Sequence, residues 1–142
     1  MGAHLNLCVI SMHTKIYFIF KMSLVHVQDA AEIARARSNE KCLIKFGANW
    51  CPPCRRVEEV LEKLALENEG NINFYSVDID EFQGEAARAH VSSIPHFEVW
   101  AGGKLLEYFV GTEEVVNATT FLSDYTYKKI EASEEEKDVK AQ

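Results

Sequence analysis

The sequence lacks the uninterrupted run of ~20 apolar residues that a membrane-spanning helix needs. Within residues 1–21 the apolar residues are interrupted by His4, Asn6, His13 and Lys15. This segment also lacks the early positive charges and the small-residue cleavage site of a secretory signal peptide. We therefore expect no membrane segment and a cytoplasmic location, with residues 1–21 as an extension that is disordered or not part of the fold. Organellar targeting by this extension is the weaker alternative.

Basic residues are also scarce. The 142 residues include 15 Lys and Arg against 22 Asp and Glu, which gives a formal net charge of −7. A nucleic-acid-binding domain normally has a basic face, so the charge balance argues against nucleic acid as a partner. The length fits one domain with a real core, and the 47% hydrophobic content is ordinary for a globular protein.

Cysteine is too sparse for a fold stapled by disulfides, because the chain has only Cys8, Cys42, Cys51 and Cys54. A zinc site would need two more ligands beside Cys51 and Cys54, and neither a second C-x-x-C nor an H-x-H spacing exists. We therefore expect no metal. A single C-x-x-C next to a strand and a helix is instead typical of a redox site.

That C-x-x-C lies in the stretch Trp50-Cys51-Pro52-Pro53-Cys54-Arg55, between an apolar run at residues 42–46 and a helical pattern. If the helix begins at or just after Cys51, the two thiols are about one turn apart and can form a disulfide. Cys51 then lies at the positive end of the helix, which favours the thiolate that attacks disulfides.

Two of the three prolines, Pro52 and Pro53, separate these cysteines. Proline is tolerated in the first turn of a helix, and here it stiffens the ring that a disulfide would close. Because both prolines lack an N–H, a backbone hydrogen bond to the Cys51 sulfur must come from Cys54 or beyond.

The remaining pattern alternates strands and helices, which predicts parallel neighbours in the first part of a sheet. Strands are predicted at 24–27, 42–48, 72–79, 96–100 and 105–110, the last two as a hairpin through Ala101, Gly102 and Gly103. Helices are predicted from the cap Asp29 to about 38, from the motif to about 68, over 85–90, and after Thr112. Residues 131–142 are predicted to be a charged, flexible tail.

Two of the predicted helices have an apolar face. In the helix after the motif, the residues at helical spacing are Val57, Val60, Leu61, Leu64 and Ala65. Its other face is predicted to contact water through Glu58, Glu59, Glu62 and Lys63. In the last helix, the residues predicted to face the sheet are Val115, Val116, Leu122 and Tyr125.

With these motifs the chain resembles the thioredoxin family over about residues 22–127. The match rests on the motif at 50–55 and on four further segments in the family's order and spacing: Val77-Asp78-Ile79-Asp80, Ile94-Pro95-His96-Phe97, Gly102-Gly103-Lys104 and Val110-Gly111. The resemblance implies an α/β thioredoxin fold, with a central mixed β-sheet flanked by helices on both faces. The expected domain is 22–130.

The resemblance also implies roles for particular residues. Cys51 would be the nucleophile and Cys54 the thiol that resolves the mixed disulfide. Pro95 would follow a cis peptide bond facing the motif, and Ile94 would pair its backbone with an extended substrate segment. Trp50 would form part of a flat rim beside the thiols.

The chain departs from the family pattern at Lys45, Gly47 and His96, where the family usually has a buried aspartate, an aromatic residue and a threonine. Lys45 could accept a proton if burial lowered its pKa, or its charge could make the cysteine pair more oxidising. The alternative is that Lys45 extends to solvent or pairs with Asp78. His96 is either a proton carrier near neutral pH or a strand histidine with an exposed edge.

Three functions follow from these residues and this resemblance. The first is a cytoplasmic, monomeric enzyme that reduces disulfides in protein substrates, with no cofactor beyond its own disulfide and with electrons from a separate reductase. The second is a thiol oxidase or disulfide isomerase. The third is a redox-inactive binding module built on the same fold.

Overall fold

The computed structural model describes residues 24–125, which form five strands and four helices. In chain order these elements are β1 (Val25–His26), α1 (Ala30–Arg37), β2 (Lys41–Gly47), α2 (Pro52–Glu67), β3 (Asn73–Asp78), α3 (Gln83–Arg88), β4 (His96–Ala101), β5 (Lys104–Val110) and α4, which includes residues 114–125. The predicted extension of residues 1–21 and the predicted tail of residues 131–142 lie outside the described residues.

The five strands form one mixed sheet in the order β1-β3-β2-β4-β5. Strand β3 pairs in parallel with both β1 and β2, whereas β4 pairs antiparallel with β2 and β5. The parallel pairs are those whose connections contain α1 and α2, because a parallel crossover needs a long connection. The predicted mixed sheet is therefore confirmed.

Strand β2 is the centre of this sheet, and all seven of its residues are buried. Its side chains alternate between two cores. Leu43 packs in the core that contains residues of α2 and α4, whereas Ile44 packs in the core that contains residues of α1 and α3. The helices thus cover both faces, and Lys45 lies on the same face as Leu43, beneath α2.

Local signals set several of the element ends. Asp29 accepts a hydrogen bond from the Glu32 N–H at 2.8 Å through its side chain and caps α1, as the sequence predicts. The β4–β5 hairpin turns at Gly102 and Gly103, which have φ angles of 57° and 80°. Two consecutive positive φ angles are the geometry of a tight hairpin turn, and glycine adopts them without strain.

Two side chains that lie on the predicted apolar faces of their helices are exposed instead. Val60 of α2 is exposed because the buried stripe of that helix runs through Val57, Leu61 and Ala65, spaced four residues apart. In α4, Val115 and Leu122 are buried as predicted. Val116 is exposed, and Ala118 and Thr119 take the buried positions between them.

Candidate active site

The two motif cysteines lie at the first turn of α2, directly after the C-terminal end of β2. Cys51 is the N-cap, in an extended conformation, and Pro52 and Pro53 occupy the first two helical positions. A disulfide joins Cys51 to Cys54, whose Cα atoms are 5.3 Å apart. The predicted helix start and the predicted spacing of the thiols are both confirmed.

The Cys51 sulfur accepts a hydrogen bond from the backbone N–H of Cys54, at 3.3 Å. Cys54 provides the first N–H of the helix because the two prolines before it have none. This confirms the predicted donor. The same N–H and the positive end of the helix would stabilise a thiolate on Cys51 once the disulfide is reduced.

Both cysteines are largely buried in the oxidised protein, Cys51 at 5% exposed and Cys54 at 1%. They pack with Ala48, Ile79 and Ile94 in a small cluster at this end of the sheet. The Ile94–Pro95 peptide bond is cis, as the resemblance implies. Ile94, in the loop that precedes β4, packs against this cluster.

Trp50 lies beside the disulfide with 66% of its surface exposed. Its indole Nε1–H donates a hydrogen bond of 2.7 Å to Asp80 Oδ2, which fixes the ring at the rim of the site. Sequence reasoning missed this role of Asp80. A signal existed, because β2 and β3 are parallel and residues that follow their C-terminal ends meet at one edge of the sheet.

Lys45 is buried beneath α2, with 4% of its side chain exposed. Its Nζ lies 3.5 Å from Glu58 Oε1, so the alternative of an extension to solvent is wrong, and the ion-pair partner is Glu58 rather than Asp78. Glu58 was predicted to face water, yet its side chain is only 25% exposed. Burial lowers the pKa of Lys45, and the negative charges of Glu58 and Asp78 partly oppose that effect.

Gly47 provides the space that Lys45 occupies. A Cβ at Gly47 would meet Lys45 Cε at 2.7 Å, Cys54 Cβ at 3.2 Å and Lys45 Nζ at 3.3 Å. Real Cβ atoms essentially never approach another atom to 2.7 Å. Two of the three departures from the family pattern are therefore in direct contact, since a side chain at residue 47 would force Lys45 to move.

His96 is buried, so the alternative of a strand histidine with an exposed edge is wrong. Its ring makes an edge contact with Phe46 and stacks on Tyr108, at centroid distances of 5.8 Å and 5.6 Å. Burial lowers the pKa of His96, although the negative charge of Glu98 acts in the opposite direction. Among the described residues its Nε2 has no hydrogen-bond partner.

The remaining described thiol, Cys42, is a free, buried packing residue of β2. It is fully buried, and burial together with the charge of Glu98 raises its pKa to about 12. Cys8 lies outside the described residues.

Within residues 24–125, no group of three or more His, Cys, Asp or Glu side chains is arranged to hold a metal ion. In the same range, no helix is long and apolar enough to cross a membrane.

A disulfide between the N-cap and the third residue of a helix places a thiol pair at the positive end of that helix, the arrangement found in thiol–disulfide oxidoreductases. The family model described as Thioredoxin matches residues 23–124. The chain belongs to the thioredoxin family. It is 34% identical over 104 residues to thioredoxin from Staphylococcus aureus, a match that covers 73% of this chain and 99% of that one.

Solved structures agree with this assignment. A mutant thioredoxin from Halobacterium salinarum superposes with a TM-score of 0.68 at 29% identity, over 75% of this chain and 93% of that one. Thioredoxin from Trypanosoma brucei brucei superposes with a TM-score of 0.69 at 26% identity, over 75% and 94% of the two chains.

Proposed function

We propose that this protein reduces disulfide bonds in other proteins through a dithiol–disulfide cycle at Cys51 and Cys54. The observation that supports this most strongly is the position of Cys51 at the N-cap of α2, with the Cys54 N–H donated to its sulfur at 3.3 Å. This environment stabilises a thiolate on Cys51, the more exposed of the two cysteines.

In the first step the Cys51 thiolate attacks one sulfur of the partner's disulfide. A Cys51–partner bond forms, the partner's own disulfide breaks, and one partner thiolate leaves. In the second step the Cys54 thiolate attacks the Cys51 sulfur, which releases the second partner thiolate and restores the Cys51–Cys54 disulfide. Two electrons pass from the dithiol to the partner, and the departing thiolates take up protons from solvent.

The surface around the disulfide suits an extended protein segment. Trp50 offers an exposed aromatic face, and Ile94 packs against the cysteine cluster, where its backbone would pair with a substrate strand. In this proposal the disulfide needs no other cofactor, and a separate reductase returns electrons to it. The monomeric state and the cytoplasmic location expected from the sequence stay predictions.

The test is the reduction of insulin disulfides by the full-length protein with dithiothreitol as electron source. We expect Cys51→Ser to abolish the reaction, and Cys54→Ser to accumulate a mixed disulfide between Cys51 and the partner. Cys42→Ser is the matched control, because it removes a thiol that is buried in the core and is not part of the cycle. Equal activity of Cys51→Ser and the unmodified protein would refute the proposal.

One observation favours the oxidase or isomerase as a second candidate. The buried Lys45 lies near Cys54, since both reach the space that a Cβ at Gly47 would fill. A positive charge there stabilises thiolates, hence the reduced protein, and makes the pair more oxidising. The two candidates differ in the reduction potential of the pair.

A further inference from the structure

Three side chains converge on one carboxylate oxygen of Glu58. Glu58 Oε1 accepts a hydrogen bond of 2.9 Å from Ser76 Oγ, and it lies 3.4 Å from His26 Nδ1 and 3.5 Å from Lys45 Nζ. The four side chains come from four different elements, β1, β2, α2 and β3. Register explains the convergence, because Ser76 pairs with both Lys45 and His26 across the parallel strands.

This group adjoins the resolving cysteine. Cys54 and Glu58 are four residues apart on α2, so they lie one turn apart on the same face of the helix. Beneath that face, the point where a Cβ of Gly47 would lie is 3.2 Å from Cys54 Cβ and 3.3 Å from Lys45 Nζ. The absence of a side chain at Gly47 thus leaves the lysine amine adjacent to Cys54.

A polar cavity of about 180 Å³ opens next to these groups. Its lining includes His26, Lys45, Gly47, Glu58, Ser76 and Asp78. A cavity of this size with polar walls has room for several water molecules. The side chain of His26 is 57% exposed, so the cavity and Glu58 link the buried amine to solvent.

We propose that the Lys45 amine accepts the thiol proton of Cys54 in the resolving step, and that Glu58 and Gly47 are the positioning residues that hold the amine there. The inference rests on the proposed dithiol cycle. The Cys54 S–H bond breaks and its proton becomes part of the Lys45 ammonium group. The Cys54 thiolate then attacks Cys51, and the ammonium group returns the proton to solvent through the cavity.

Charge sets the pH at which this base works. Burial favours the neutral amine, whereas the negative charges of Glu58 and Asp78 favour the ammonium form. The charged or titratable groups around the cavity are His26 on β1, Glu58 on α2, Asp78 on β3 and Glu81 after it. Removal of the Glu58 charge therefore shifts the deprotonation of Lys45 to lower pH.

The experiment is a stopped-flow reaction of the reduced full-length protein with a limiting amount of an aromatic disulfide whose thiol product absorbs light. The first equivalent of thiol reports the attack by Cys51, and the second reports resolution by Cys54. We expect the rate of the second phase to rise with pH through one inflection. In Glu58→Gln that inflection should move to lower pH, whereas Glu62→Gln, which changes an exposed acid one turn further along α2, should leave it in place.

Two substitutions of Lys45 separate a proton acceptor from a fixed positive charge. Lys45→Met should slow the second phase at least about tenfold at neutral pH and remove the inflection. Lys45→Arg keeps the charge but cannot give up its proton, so it should be slowed like Lys45→Met. Full second-phase rate in Lys45→Arg would overturn the proposal.

The comparison of Glu58→Gln with Glu62→Gln tests the proposal even if the Lys45 variants do not fold. The proposal also fails if Glu58→Gln has the same profile as Glu62→Gln, or an inflection moved to higher pH. Failure of the proposed function looks different, because a protein without a reactive Cys51 would show no first phase at all.

Discussion

The contact between Gly47 and Lys45 predicts a specific loss of stability in Gly47→Ala. The new methyl group would lie 2.7 Å from Lys45 Cε and 3.2 Å from Cys54 Cβ. The lysine chain is the part that can move, because Cys54 is held by the disulfide and by α2. Movement of Lys45 breaks its 3.5 Å pairing with Glu58.

We expect Gly47→Ala to lower the free energy of unfolding by about 1–3 kcal/mol, the usual cost of an added methyl group in a packed interior. Loss of the buried Lys45 pairing contributes to this cost. In the Lys45→Ala background the 2.7 Å clash no longer exists, so Gly47→Ala should cost at least about 0.5 kcal/mol less.

The assay is urea unfolding of the oxidised protein for the two single variants, the double variant and the parent. Gly84→Ala is the matched control, since Gly84 lies in α3 and has no atom within 4 Å of an added Cβ. It should be neutral or stabilising by about 0.4–1 kcal/mol, because alanine restricts the unfolded chain.

Two results would refute the reasoning. One is a Gly47→Ala variant that unfolds at the same urea concentration as Gly84→Ala. The other is additivity, with Gly47→Ala costing the same whether residue 45 is lysine or alanine. Either would mean that Gly47 does not provide the space for Lys45.

Three further predictions rest on buried titratable groups. Burial in the folded state raises the pKa of Cys42 from 9.0 to about 12, so as the pH rises the unfolded state loses this proton first. The free energy of unfolding should therefore fall above pH 9 by up to about 1.4 kcal/mol per pH unit. Urea unfolding at several pH values should show a smaller slope for Cys42→Val. Glu98 forms an ion pair of 3.2 Å with the partly buried Arg37. Glu98→Ala should therefore lower the free energy of unfolding in urea by about 3 kcal/mol. The control Glu107→Ala, at an exposed position, should lower it by about 0.5 kcal/mol or less. Burial lowers the pKa of His96, so His96→Thr should alter the pH profile of disulfide reduction only below about pH 6.5, and a change between pH 7 and 8 would contradict this.

The geometry of the disulfide could be predicted from the sequence because it depends on local chain properties. The order of an apolar strand, two cysteines and two prolines specifies a strand-to-helix junction, and it leaves Cys54 as the first available N–H donor. The N-cap at Asp29 and the hairpin at Gly102 and Gly103 could be predicted for the same reason. Each depends on residues adjacent in the chain.

The environment of Lys45 could not be predicted, because its neighbours come from elements far apart in sequence. Glu58 belongs to the polar side of a helical pattern, and its position at the edge of the buried face depends on how α2 packs on the sheet. The role of Gly47 is visible only once Lys45 has a position. The hydrogen bond from Trp50 to Asp80 differs from these, because the parallel pairing of β2 and β3 could be predicted and brings the ends of both strands to one edge of the sheet.

The measurement that tests the central claim most directly is the reduction potential of the Cys51–Cys54 pair. The full-length protein is equilibrated in graded dithiothreitol or glutathione buffers, and the alkylated peptide that contains both cysteines is counted by mass spectrometry. A reversible two-electron transition near the thioredoxin level of about −270 mV is the result expected for a reductant. A potential at or above about −180 mV would contradict that role and point to an oxidase or isomerase, and no transition at all would contradict the dithiol cycle itself.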